Sequence, residues 1–429
     1  MRHLKLKQPV EQMAQPRSKY PLFATMLYLL LIVYGTLFPL SEWQWAKGGL
    51  DVLLNTSWPE SLTRTDVIIN LLIYIPMGYL FCHWLKPDNP SSTMIYATLL
   101  GAALSILLEY LQTYLPSRVS SYVDITLNTA GTMLGAALAV MTNTQTKFAE
   151  RILKYKTDWF VTQPLTNLAL LTLLFWALSQ LTPLVPSPDI ANLRNGVKLL
   201  YYTLITPSSF DISQAFNYFL NIFAIGLLLS IFLNPDQGLV LKLAGFIFFV
   251  LVLKIPIIDR QLSLEALVGA GIAIILCTFF INSAIKFRAF FSICLLLTAY
   301  TISGLSTSGE SEFLQKAMNW VPFAPQMQTD SIFGLVDIVI SIWPFMALAC
   351  LVLVISPKGS ILLGMFGIVG IFSLSFYIEW RQMFFTNRYP DITDVFLAVT
   401  TFTIAYWQFR KYSYVRPEYN YQPVGRMVE

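Results

Sequence analysis

Two stretches of the chain carry the same reactive side chains at the same spacing. Glu109-x₂-Gln112-x₅-Arg118-x₅-Asp124 recurs 270 residues later as Glu379-x₂-Gln382-x₅-Arg388-x₅-Asp394. A set of two carboxylates, an amide and a guanidinium can bind a polar ligand, move a proton, or neutralise itself and lock helices together. Gln112 follows Glu109 by three residues and so shares its helical face, as do the i, i+4 pairs Asp124 and Asn128, and Asp66 and Asn70. The candidate ligand-binding residues are therefore Asp66, Asn70, Glu109, Gln112, Arg118, Asp124 and Asn128, with Glu379, Gln382, Arg388 and Asp394 in the second copy. Arg118, in a short turn, can fold back on either carboxylate or meet an anionic head group such as a phosphate. Glu109 and Asp124 would accept hydroxyl or amine hydrogens. A Glu buried in this way could also act as a general acid or base.

The elements that must position these groups follow from composition. The 429 residues are 55% hydrophobic and 12% charged, with a mean hydropathy of +0.60. A soluble protein carries about 25% charged residues. A soluble globular enzyme, a disordered chain and a nucleic-acid binder are excluded. Spanning a bilayer takes ~20 apolar residues, and twelve such stretches can be read, at approximately 22–40, 66–85, 93–115, 122–141, 164–184, 212–233, 239–258, 264–282, 288–305, 331–355, 360–383 and 391–409. Backbone polar groups must be satisfied inside lipid, so these are helices. The fold class is all-α, a polytopic transmembrane helical bundle. Ionisable residues inside it are costly and mark candidate sites.

Orientation is read from Lys and Arg. With the N-terminus in the cytoplasm, eighteen of the 28 basic residues fall on the cytoplasmic side, as the positive-inside rule requires. The expectation is a multi-pass protein of the bacterial inner membrane with both termini cytoplasmic, anchored first by an uncleaved Leu22–Leu40. Cys82, Cys277, Cys294 and Cys350 have no disulfide or metal spacing, and His3 and His83 are isolated. No metal and no cofactor are expected. A histidine-dependent hydrolase lacks its parts, and no Gly-rich phosphate loop is present. Nothing assigns a reaction, and the balance is against an enzyme.

The repeat has a weaker middle copy. Arg260, Ser263 and Glu265 stand for Arg118, Ser121 and Asp124, Lys254 takes the Gln place, and the Glu is lost. Three tandem, parallel four-helix units result, at 22–150, 160–283 and 287–411, between a basic N-terminus (1–21) and a cytoplasmic tail (412–429). In the middle copy the polar residues read as packing glue; in the outer two, site and glue both stand. Gly131-x₃-Gly135 and the Gly364, Gly367, Gly370 ladder read as close helix contacts. Trp43, Trp45, Trp58 and Trp320 read as interfacial aromatics.

The first unit resembles the VanZ-like family of multispanning membrane proteins. The resemblance rests on Asp66-Val-Ile-Ile-Asn70-Leu-Leu-Ile-Tyr-Ile-Pro76-Met-Gly78, Glu109-Tyr-Leu-Gln112, Arg118 and Asp124-Ile-Thr-Leu-Asn128-Thr-Ala-Gly131. It recurs through Asn319-Trp-Val-Pro322-Phe323, Glu379-Trp-Arg-Gln382, Arg388 and Asp391-Ile-Thr-Asp394, but Val399, Thr400 and Thr401 replace the following Asn and Gly. The resemblance implies a cell-envelope role, in resistance to teicoplanin-like glycopeptides or in exopolysaccharide. The partners it implies are membrane lipids with lipid-linked envelope intermediates or glycopeptides, and no nucleic acid. Four readings stay open: a binder of an amphiphilic or lipid-linked molecule at the outer leaflet, a transporter or flippase, an intramembrane enzyme, and a scaffold for a partner complex.

Overall fold

The computed structural model describes residues 20–45, 48–54, 64–85, 89–142, 146–234, 238–306, 316–328, 333–356, 359–385 and 388–412. The N-terminal segment 1–19, Trp58 and the tail beyond residue 412 lie outside them. Among the described residues every regular element is a helix, and extended segments meet only as isolated bridges at Phe160–Leu233, Pro186–Ile257 and Asn319–Asp391.

The chain divides into two compact units, Met1–Ala149 and Glu150–Glu429. The first holds α1 (Tyr20–Leu37), the short α2 (Leu50–Leu54), α3 (Arg64–Leu85), α4 (Pro90–Gln112) and α5 (Tyr122–Met141). The helix α6 (Lys147–Trp159) straddles the division. The second unit continues with α7 (Pro164–Leu181), α8 (Ile190–Ile205), α9 (Ile212–Phe232), α10 (Leu239–Val252), α11 (Leu264–Phe280), α12 (Ile285–Leu305), α13 (Ala324–Gln328), α14 (Phe333–Ile355), α15 (Ile361–Gln382) and α16 (Ile392–Phe409). The stretches 160–283 and 287–411 both fall in this second unit. There α7 packs on α14 and α16, and α9 packs on α12, so the two stretches share one core.

Among the described residues, eight helices are long and apolar enough to cross a membrane: α3, α4, α5, α7, α9, α12, α14 and α15. Shorter apolar helices, Tyr28–Leu37 within α1, α10 and α11, coincide with three more of the expected stretches, and α16 with the last. The protein is a polytopic helical membrane protein. The sequence reading did not anticipate α6 or α8. In α6, Phe148, Ile152, Tyr155 and Trp159 recur at helical spacing and are exposed, as an amphipathic helix at a bilayer surface would leave them.

Helix boundaries follow local chemistry. Asn89 accepts the Ser91 N–H and precedes Pro90 at the head of α4; the Ser121 hydroxyl accepts the Val123 N–H at the head of α5. Pro76 removes one intrahelical donor from α3, and in the same turn the Tyr28 hydroxyl donates to the Ile73 carbonyl at 2.8 Å.

The first unit is held by backbone approach. A side chain at Gly131 or Gly135 of α5 would run into the Leu71 or Ile75 carbonyl of α3, and one at Gly78 would run into the Thr132 carbonyl of α5. Both helices therefore need glycine at their crossing, as expected for Gly131 and Gly135. In α15 the expectation holds at Gly364, against Tyr406, and at Gly367, against Phe402; Gly370 faces open space.

Candidate functional site

A helix leaves its last four carbonyls and first four N–H groups without intrahelical partners. In a bilayer each must be satisfied by protein. The residues of the repeated motif do this in the N-terminal unit. Gln112, at the end of α4, donates through Nε2 to the Thr36 carbonyl in the last turn of α1 at 3.0 Å. Arg118 donates through Nε to the Phe38 carbonyl at 3.1 Å and through a terminal nitrogen to Gly35 at 3.2 Å. Glu109 works at the opposite kind of helix end. Its carboxylate accepts the N–H of Ser121, the residue that caps α5, at 2.9 Å, while the Ser120 hydroxyl donates to the Glu109 carbonyl at 2.8 Å. The motif is a staple: α4 grips the C-terminal end of α1 and the N-terminal end of α5. Neither Glu109 nor Asp124 has Arg118 as a partner among the described residues, so the expected fold-back onto those carboxylates is not the arrangement found.

The second copy repeats these bonds. The Gln382 Nε2 donates to the Gly304 carbonyl at 3.1 Å and Arg388 to Ser303 at 2.8 Å, both in the last turn of α12. Glu379, buried like Glu109, accepts the N–H of Asp391, which caps α16, at 2.8 Å. Asp391 was not singled out from the sequence. It is 6% exposed and accepts from the Thr393 N–H and hydroxyl, Asn319 and Gln326, tying the segment before α13 to α16. Its signal was there in the Asp-Ile-Thr start of a helix, an N-cap pattern.

The middle copy keeps one part. Arg260 donates through Nε to the Thr182 carbonyl at the end of α7. Lys254 does not serve a helix end; its Nζ meets the Tyr218 hydroxyl at 3.4 Å.

Once the staple is set aside, a second group remains in the N-terminal unit. Asp66 and Asp124 stand in the first turns of α3 and α5, where the helix dipole favours a carboxylate. The two are electrostatic neighbours, and Asp124 is also within range of Glu109. Asn70 donates to Asp124 Oδ1 at 2.6 Å. Asn128 donates to the Ser105 hydroxyl at 3.0 Å, and both are buried. Ser105 lies one helical turn before Glu109, a spacing that could have flagged it. The Asn128 Oδ1 and Gln112 Oε1 atoms are buried and accept from no group among the described residues. In the second copy Asp394 accepts from the Ser341 hydroxyl at 3.2 Å, and Ala398 stands one turn after it, where Asn128 follows Asp124.

Among the described residues no group of three or more His, Cys, Asp or Glu is placed to hold a metal ion. The cysteines are free thiols, buried at 82, 277 and 350 and exposed at 294.

Residues 25–143 match the family model described as VanZ/LLP1. The chain thus carries a VanZ-like unit over α1 to α5. No curated protein and no solved structure matches the chain.

Proposed function

We propose that this VanZ-like membrane protein serves the bacterial cell envelope by binding the polar head of an amphiphilic or lipid-linked molecule. The head is held through its N–H or O–H donors. Asp66, Asp124, Asn70 and Asn128 form the recognising group, with Glu109 beside them. Gln112, Glu379, Gln382 and Arg388 hold helix ends and do not meet the ligand. Arg118 belongs with them, so an anionic head group is not its partner here. The observation that carries this reading is the buried Asn128 Oδ1, which accepts from no donor among the described residues, beside the neighbouring half-buried carboxylates of Asp66 and Asp124. An ammonium or hydroxyl group satisfies both the charge and the lone pairs. A role in resistance to glycopeptides or in exopolysaccharide handling would follow from which envelope molecule carries that head. The inner membrane, with cytoplasmic termini, is the location that the distribution of Lys and Arg supports.

The test uses the purified protein in phosphatidylcholine nanodiscs, whose lipid head lacks N–H and O–H donors. Dodecylammonium should bind about tenfold or more tightly than dodecyltrimethylammonium, a gap of ~1.4 kcal/mol or more. Equal affinity for the two, or equal binding by wild type and Asp124→Asn, would overturn the proposal. In cells, Asp124→Asn should change teicoplanin susceptibility at unchanged protein level.

A further inference from the structure

The middle copy of the motif looks like a damaged staple, yet its replacements are buried together and underused. Lys254 sits in the turn that follows α10 and is 4% exposed. Its ammonium lies 4.9 Å over the Tyr218 ring and 3.4 Å from the Tyr218 hydroxyl, and no carboxylate lies within ion-pair distance among the described residues. The Tyr218 oxygen accepts that contact, so its own proton has no acceptor among the described residues. Arg260, six residues on, is close enough for its charge to act on Lys254. Glu265, in the first turn of α11, is 2% exposed. Its Oε1 accepts the Asp211 N–H at 3.2 Å, and its Oε2 is buried with no partner among the described residues.

The helix α8 lies over this turn. The Gly196 carbonyl accepts the Leu262 N–H at 2.8 Å, Asn192 donates to the Pro256 carbonyl at 3.2 Å, and the Gly196 backbone rests on Ile255. Packing glue would not need two cations held together. A buried ammonium without a counter-charge is costly, and a hydrophobic side chain of the same length would pack better. Glu265 acts on Tyr218 and Asp259 on Arg260, yet Lys254 has no ion-pair partner among the described residues and can take one from outside.

We propose that Lys254, Arg260 and the Tyr218 hydroxyl form a binding site for a phosphate-type oxyanion, with Glu265 Oε2 accepting a hydrogen from the group that carries it. The cations neutralise the anion and Tyr218 donates to it. The carboxylate favours a phosphate monoester, or a diester with a neighbouring hydroxyl or amine, over a simple anion such as sulfate. This site is separate from the N-terminal group and does not rest on its assignment.

The experiment uses the full chain in maltoside micelles, which contain no phosphate. Inorganic phosphate, dodecyl phosphate and dodecyl sulfate are titrated by calorimetry. Dodecyl phosphate should bind, and Lys254→Met should weaken it about tenfold or more. Lys254→Arg should weaken it about threefold or less, and Asp124→Asn should leave it unchanged. Binding of inorganic phosphate with similar affinity would identify the free ion as the ligand; binding of dodecyl phosphate alone would identify an amphiphile head. Both outcomes support the site. It is overturned if wild type binds neither phosphate, if Lys254→Met binds as wild type does, or if dodecyl sulfate binds as well as dodecyl phosphate. Should Lys254→Met fail to fold, Tyr218→Phe replaces it, with about a threefold or greater weakening expected and wild-type affinity contradicting the site.

Discussion

The N-terminal helices α1 to α5 and the last helices α12 to α16 use the same three side chains for the same three backbone tasks. Glu109 and Glu379 accept the capping N–H of the following helix, and Gln112 and Gln382 each satisfy a carbonyl of an earlier helix. Arg118 and Arg388 close the same helix ends. Where the regions differ is around the final carboxylate of the motif. Asp124 has Asn70, Asp66 and the Asn128–Ser105 pair about it, while Asp394 receives the Ser341 hydroxyl, lies within range of Glu379, and is followed by Ala398 where Asn128 follows Asp124. The shared part therefore reports on folding in lipid, and the unshared part is where recognition can reside. A motif repeated at constant spacing was the strongest signal in the sequence, and most of it serves helix ends.

The comparison can be broken at several points. The largest expected effect comes from Gly135→Val in the N-terminal unit. Its side chain would overlap the Ile75 carbonyl, a backbone atom that cannot turn aside. The yield of folded, detergent-extracted protein should fall several-fold. Gly370→Val in α15, where nothing lies close, should leave it unchanged.

Next are the staple arginines. Arg118→Ala removes the donors to Phe38 and Gly35, and Arg388→Ala removes the donor to Ser303. Each carbonyl left unserved costs about 1–3 kcal/mol. Both variants should lower the Tm of the purified protein, Arg118→Ala more than Arg388→Ala. If either variant melts like wild type, that copy of the motif is not a staple.

Smaller still is Gln112→Leu. It orphans the Thr36 carbonyl but also removes the buried, unpartnered Oε1, so a loss of about 1 kcal/mol is expected. Gln382→Leu should cost a similar amount, since Gly304 loses the same kind of bond. Thermal unfolding of the two variants side by side checks the symmetry.

Much of the fold was legible because the bilayer demands long apolar helices, and the glycines at 131 and 135 announced a close crossing. That the stretches 160–283 and 287–411 pack into one unit was not legible. It depends on α7 choosing α14 and α16 as its neighbours, a preference with no short-range signature. The α8 helix was missed because its polar residues, Asn192, Asn195 and Lys198, break the apolar run. At the candidate site the repeated residues were named, Ser105 and the role of Asp391 were not, and the division of labour among them was hidden. Glu109, Gln112 and Arg118 act on backbone atoms. Those of Gly35, Thr36 and Phe38 lie about 80 residues away in the chain, and a backbone carbonyl leaves no mark in a sequence. Lys254 was visible as the odd residue in the Gln place; that it is buried with no ion-pair partner among the described residues was not.

The most direct measurement sets Asp124→Asn against Asp394→Asn in dodecylammonium binding, with the full-length protein in phosphatidylcholine nanodiscs. Recognition by the N-terminal group predicts that Asp124→Asn weakens binding about tenfold or more while Asp394→Asn stays within about twofold of wild type. Equal weakening by both variants, or by neither, would contradict it.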